Sequence, residues 1–193
     1  MDQLTGVTIE AIDLAAWAPQ ALDVQAVAFG LTPEEVAVRL HIVGRHAQQP
    51  GVIALGAMSG GRLVGFGYGM PNRREHWWST VIEPYLVSRG HGDWLDGVFA
   101  ITELHVLPEW QGRGIGSRLI RGLCEGSGLD RSILSAIDAE TPARRLYRSL
   151  GYQDLARAVR FPATDRLYAV MGAPLPLRRP GAGAVQSAPA NSR

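Results

Sequence analysis

The stretch Leu104-His105-Val106-Leu107-Pro108-Glu109-Trp110-Gln111-Gly112-Arg113-Gly114-Ile115-Gly116 decides how this 193-residue chain is read. It enters as the end of an apolar strand, Val98 to Leu107, which Pro108 stops. It leaves as the mouth of a helix, with Ile115, Leu119 and Leu123 on one face and an end near Gly126 and Gly128. Glycines at 112, 114 and 116 permit tight turning and let backbone N–H groups approach a bulky anion. The first turn of a helix also leaves its N–H groups unpaired, with partial positive charge directed outward. Together these make a candidate pyrophosphate cradle, to which Arg113 and Ser117 can add side-chain contacts. A dinucleotide fingerprint fits poorly. It needs G-x-G-x-x-G directly after a strand, whereas here the glycines run G-x-G-x-G several residues later.

The composition narrows the chemistry further. All nineteen basic residues are arginine. Without lysine the chain can form no side-chain Schiff base and no nucleotide-binding loop of the Gly-Lys-Ser/Thr kind. A formal charge of +1 argues against a nucleic-acid partner, which ordinarily demands a marked basic excess. The single cysteine, Cys124, rules out an intramolecular disulfide and suits a reducing compartment. It reads as a small buried residue. No basic-then-apolar leader opens the chain, and no run approaches the ~18 apolar residues of a membrane span, so a cytoplasmic protein with no membrane partner is expected. His41 and His46 stand five apart, and there is no cysteine pair, so no metal site is read.

Working outward, Val7 to Ile12 alternates as a strand, and Asp13 to Phe29 reads as a helix broken near Pro19. Thr32-Pro33-Glu34-Glu35 opens a second helix with a capping box, its apolar face formed by Val36, Leu40, Val43 and Ala47. Val52 to Met58 and Arg62 to Met70 are two strands joined through Ser59-Gly60-Gly61. Gly65, Gly67 and Gly69 fall on one side of the second, so protein or ligand packs close there. Pro71 to Gly97 is an insertion, read as a short helix with flanking loops. Arg131 to Ile137 is a strand, and Thr141-Pro142 opens a helix that Gly151 closes. Tyr152 to Phe161 and Arg166 to Met171 are the last two strands. The expected fold is α/β in the α+β sense: one domain over residues 1–172, with a mixed, mostly antiparallel central sheet flanked by helices. Residues 173–193, with four prolines and no aromatic residue, are expected to form a disordered tail.

Gln111-Gly112-Arg113-Gly114-Ile115-Gly116 resembles the Gln/Arg-x-x-Gly-x-Gly/Ala signature of the GNAT acetyltransferases. A second block, Ala143-Arg144-Arg145-Leu146-Tyr147-Arg148-Ser149-Leu150-Gly151-Tyr152, resembles the family's Ala-x-x-Leu-Tyr-x-x-x-Gly-Phe segment. The resemblance implies acyl transfer from acetyl-CoA to an amine. It implies that strand backbone at Leu104, His105 and Val106 lies along pantetheine, and that the pyrophosphate sits on Gln111, Gly112, Arg113, Gly114, Ile115, Gly116 and Ser117. It also implies that Tyr147 protonates the departing CoA thiolate. Glu140 stands where many members have asparagine, three residues before Ala143.

An amine must be neutral to attack, so a base or a water has to take its proton. Glu103 is the first choice, directly or through water, and His105, two residues on, shares its side of the strand. Trp77, Trp78 and Glu75 in the insertion are candidate acceptor-binding residues, since aromatic walls with carboxylates suit a cationic amine. A non-catalytic acyl-CoA sensor on the same fold is the alternative reading. Acceptor identity and oligomeric state, a homodimer included, are left open by the sequence.

Overall fold

The computed structural model describes residues 6–162 and 164–179. Its elements are β1 (Thr8–Ala11), α1 (Leu14–Phe29), α2 (Pro33–His46), β2 (Ile53–Ser59), β3 (Arg62–Pro71), α3 (Trp77–Val87), β4 (Phe99–Val106), α4 (Ile115–Ser127), β5 (Arg131–Ile137), α5 (Pro142–Ser149), β6 (Gln153–Arg160) and β7 (Leu167–Pro174). One sheet runs β1-β2-β3-β4-β5-β7-β6, and only β4 and β5 pair in parallel. The mixed, mostly antiparallel sheet is the one expected from the sequence.

Local chemistry accounts for most of these elements. Gly60 and Gly61, both at positive φ, make the two-residue turn between β2 and β3. The α2 capping box is present: Thr32 Oγ1 accepts from Glu35 N, and Glu35 Oε2 accepts from Thr32 N. Beyond that cap, α2 buries only Val43, and Leu40 stays 43% exposed, so the expected apolar face covers little core. The expected break near Pro19 does not occur. Pro19 deprives one carbonyl of its donor, yet Ala18, Ala21 and Leu22 are buried on either side of it and hold α1 continuous.

Helices cover both faces of the sheet. Phe66 and Tyr68 of β3 point toward α1 and α2, whereas the opposite side of β3 is bare glycine facing α4. A Cβ on Gly67 would lie 2.9 Å from Leu104 Cδ1 and 3.1 Å from Leu123 Cδ1. The glycine stripe thus admits protein. It lets α4 and the β4 side chains settle onto β3. Helix α3 buries Ile82 and Leu86 over Ile133, Val159 and Val170, on the sheet face away from α5.

The ordered chain runs past the boundary set at residue 172. Ala173 is fully buried in β7 opposite Ser132, Leu177 is buried, and Arg178 packs on Gly151. Pro174 is tolerated because it ends β7, where a missing N–H costs no central rung. Residues 180–193 of the expected tail, like residues 1–5 of the expected domain, lie outside the described residues.

Candidate active site

The site begins where β4 and β5 part. The two strands pair only at Phe99–Ser132 and Ala100–Ile133. β4 meanwhile stays paired with β3 as far as Val106, with Thr102 an extra residue between the Tyr68–Glu103 and Gly69–Ile101 pairs. From Ile101 onward the β5-facing edge of β4 therefore has no partner strand among the described residues. Backbone polar groups left this way need water or a ligand.

At the end of that edge the chain makes a 3-10 turn, Pro108–Trp110, and enters the glycine loop. Gln111 Nε2 donates to Val106 O at 2.9 Å and ties the loop to the strand. Arg113 folds back, donating to Glu109 O at 3.0 Å with its guanidinium over the Trp110 ring. Gly112 and Gly114 sit at φ +73° and +76°, the left-handed region that glycine enters without strain. Neither position has an atom within 4 Å of where a Cβ would stand, so both look into open space. Gly114 is the N-cap of α4 and offers no side chain to it. The first helical bond is Arg118 N to Gly114 O, which leaves the amides of Ile115, Gly116 and Ser117 without an intrahelical acceptor. Gly116 differs from its neighbours: its Cβ would lie 3.2 Å from Leu146 Cδ2, so it serves the approach of α5.

Thr141 caps α5 by accepting from Arg144 N, and Arg144 anchors the helix. Arg144 is wholly buried, donating to Asp138 at 2.7 Å and, through one nitrogen, to both oxygens of Asp154. Its Nε has no partner among the described residues. Glu140, the departure from the family pattern, pairs with Arg148 at 2.6 Å. Three residues beyond Arg144, Tyr147 is buried in the cluster that holds Ile101 and Leu104, with its ring 5.8 Å from that of Tyr152. Its hydroxyl makes no hydrogen bond with a described residue. Burial first, and then the Glu103 charge, push its pKa up to about 12. Tyr152 is the structural member of the pair, its hydroxyl 2.7 Å from Ser132 Oγ and 3.7 Å from Cys124 Sγ. Burial pushes the Cys124 thiol up and keeps it neutral, which suits the packing role read from the sequence.

On the other face of β4, Glu103 is the centre of a polar cluster. It accepts from His105 Nε2 at 2.7 Å, Gln25 Nε2 at 3.0 Å and Arg39 at 3.3 Å. Burial alone would raise its pKa. The His105 hydrogen bond and charge, then Arg39 and Gln25, outweigh that and hold the carboxylate below its ordinary value. Beside it, Tyr68 is paired opposite Glu103 and hydrogen-bonds His46 Nδ1 at 3.0 Å. Burial raises Tyr68 and lowers His46. Phe29 meets the His105 ring edge-on at 5.6 Å.

Of the insertion residues, Trp78 donates from Nε1 to Ser135 on β5, and Trp77, exposed, lies 6.1 Å from Phe161. Glu75 is exposed beside Arg73, while Glu83 and Asp96 pair with Arg74 and Asp93 pairs with Arg131 of β5. Gln25, Arg39, Phe29 and Tyr68 were not read as site residues from the sequence, for they come from elements that carry no motif.

The family model of the acetyltransferase (GNAT) domain matches residues 51–154. The GCN5-like protein acetyltransferase Rv2170 of Mycobacterium tuberculosis is 34% identical over 128 residues, 62% of this chain and 62% of that protein. A thialysine N-epsilon-acetyltransferase of Bos taurus is 32% identical over 71 residues, 35% of this chain and 42% of that protein. The match thus spans less than two thirds of either relative. Among solved structures, Arabidopsis thaliana NAA60 in complex with acetyl-CoA superposes with a TM-score of 0.63 at 17% identity, over 88% of this chain and 98% of that one. A Thermoplasma acidophilum N-acetyltransferase in complex with coenzyme A gives 0.57 at 14% identity, over 86% and 99%. These two share the fold. With the sheet parting at β4 and the glycine loop at the mouth of α4, the chain belongs to the GNAT acetyltransferase family.

Proposed function

We propose that this chain transfers an acetyl group from acetyl-CoA to an amine. The observation that carries the reading is the mouth of α4, where three successive amides lack an intrahelical acceptor and Gly112 and Gly114 face open space. A diphosphate is the anion such a mouth suits, because the amides and the helix dipole act on it together. Gln111, Arg113 and Ser117 frame the same loop. The unpaired edge of β4 at Leu104, His105 and Val106 supplies backbone groups for a pantetheine arm running away from the cradle.

The amine nitrogen attacks the thioester carbonyl, the carbon–sulfur bond breaks, and the thiolate departs. Tyr147, kept protonated by its burial, donates a hydrogen bond to that sulfur. The proton lost by the amine passes through water to Glu103. The three donors on Glu103 occupy three of about four acceptor positions of a carboxylate, leaving one for that water. The relative named for N-epsilon acetylation of thialysine acts on an amine, which supports the same acceptor class here. The test is CoA thiol release across a panel of amines, with CoA binding measured in parallel. Amine-dependent release supports transfer. Saturable binding without release from any amine replaces it with an acyl-CoA sensor, and absence of binding removes the cradle.

A further inference from the structure

Resting on that reading, we propose that the acceptor amine carries a carboxylate a few bonds from its nitrogen, and that Arg166 with Arg39 receives it. The two ends of the β6–β7 connection touch different elements, α3 at one end and α1 at the other. Phe161 lies 6.1 Å from Trp77 at the start of α3 and 5.1 Å from Tyr168. Arg166 lies with its guanidinium carbon 5.9 Å from the Phe29 ring, at the end of α1. Phe29 in turn meets His105, and His105 holds Glu103. Arg166 is therefore two ring contacts from the polar centre of the site.

The charges of this cluster do not balance. Glu103 is its carboxylate, and Arg39, His105 and Gln25 already engage it. The acids of the neighbouring insertion are spent on Arg73, Arg74 and Arg131. Arg166 makes no ion pair among the described residues, and its chain neighbour Asp165 does not engage it. Arg39, 34% exposed and 3.3 Å from Glu103, keeps donors free on the solvent side. One anion against two guanidiniums favours an acceptor that brings its own negative charge. A planar guanidinium receives a carboxylate with two parallel hydrogen bonds, a geometry lysine cannot match.

The experiment compares amino acids with their carboxamides as acceptors, using the full chain, acetyl-CoA and thiol release. The members of each pair differ in the carboxylate alone. The expected result is a kcat/KM about tenfold or more in favour of the acid, the scale of one charge-assisted hydrogen bond. Arg166→Gln shrinks that preference to within about twofold, whereas Arg89→Gln, at the far end of α3, preserves it. Equal use of acid and amide, or a preference that survives Arg166→Gln, overturns the inference while leaving acetyl transfer in place. Bound CoA with no thiol release from any amine overturns the transfer reading and this inference together.

Discussion

Replacing Tyr147 by phenylalanine removes one oxygen from a ring that is otherwise held on all sides. The packing against Tyr152 and the β4 side chains remains, and the lost hydroxyl bonds no described residue. The melting temperature should therefore move by less than about 2 °C, since ~1 kcal/mol corresponds to 2–4 °C at this chain length. The effect on rate follows from the pKa. A donor at about 12 does not give its proton outright to a thiolate whose conjugate acid lies near 8.5. Its contribution is a hydrogen bond to a developing negative charge, worth about 1.5–3 kcal/mol. At 1.36 kcal/mol per factor of ten, kcat falls roughly 10- to 150-fold, toward the lower end of ordinary acid catalysis. The assay is thiol release under saturating amine, with CoA affinity measured separately and expected to be unchanged. A kcat within twofold of wild type refutes the role of Tyr147. A loss of CoA affinity as large as the loss of rate refutes its restriction to the departing sulfur.

Other substitutions separate the remaining parts. Gly114→Ala forces a side chain into the left-handed region at a cost of about 1–2 kcal/mol and fills the space before the α4 amides, so CoA affinity drops strongly. Gly116→Ala meets only the flexible end of Leu146 and should be nearly silent, and calorimetry on both variants checks the contrast. Glu103→Gln should cost about 1–3 kcal/mol at neutral pH. Because the fold lowers the Glu103 pKa, its contribution is present above the unfolded value and disappears as pH falls through the folded one. Denaturation profiles of wild type and variant should thus converge as pH falls through the folded value, which lies below the unfolded one of about 4.3. An acid limb near neutrality in the wild-type rate profile would have to arise from another group. Arg144→Met breaks a buried pair, ordinarily a loss of 3–5 kcal/mol. Asp138 keeps Arg157 and Ala158 N, Asp154 is part-exposed, and the unpartnered Nε disappears, so about 2–3 kcal/mol is expected from urea titration.

The legibility of this chain tracks sequence distance. The glycine loop, the capping box of α2, the Gly60-Gly61 turn and the Thr141-Pro142 helix start are all decided within a few residues, and each stands where the sequence placed it. Glu103 is a candidate from sequence because it sits on the strand leading to the loop, but its surroundings were not legible. Gln25 lies 78 positions away and Arg39 lies 64, on helices whose docking no local pattern specifies. The stripe Gly65-Gly67-Gly69 signalled close packing without naming the partner, which proved to be α4 and the β4 side chains. The insertion's short helix was read without bounds, because Pro84 interrupts its pattern and Trp77 stays exposed. The end of β7 was misjudged because small residues and prolines read as filler, although Ala173 is fully buried there.

Two rungs, at Phe99 and Ala100, stitch four strands on one side to three on the other. Such a seam resists bending far less than the seven-rung ladder joining β5 to β7. A long molecule laid in the gap acts as a splint, fastening both halves at points the polypeptide leaves loose. Amide exchange along Ile101 to Val106 and at the near edge of β5 should slow when coenzyme A is added, more than exchange in β2 or β7, where the fabric is already closed.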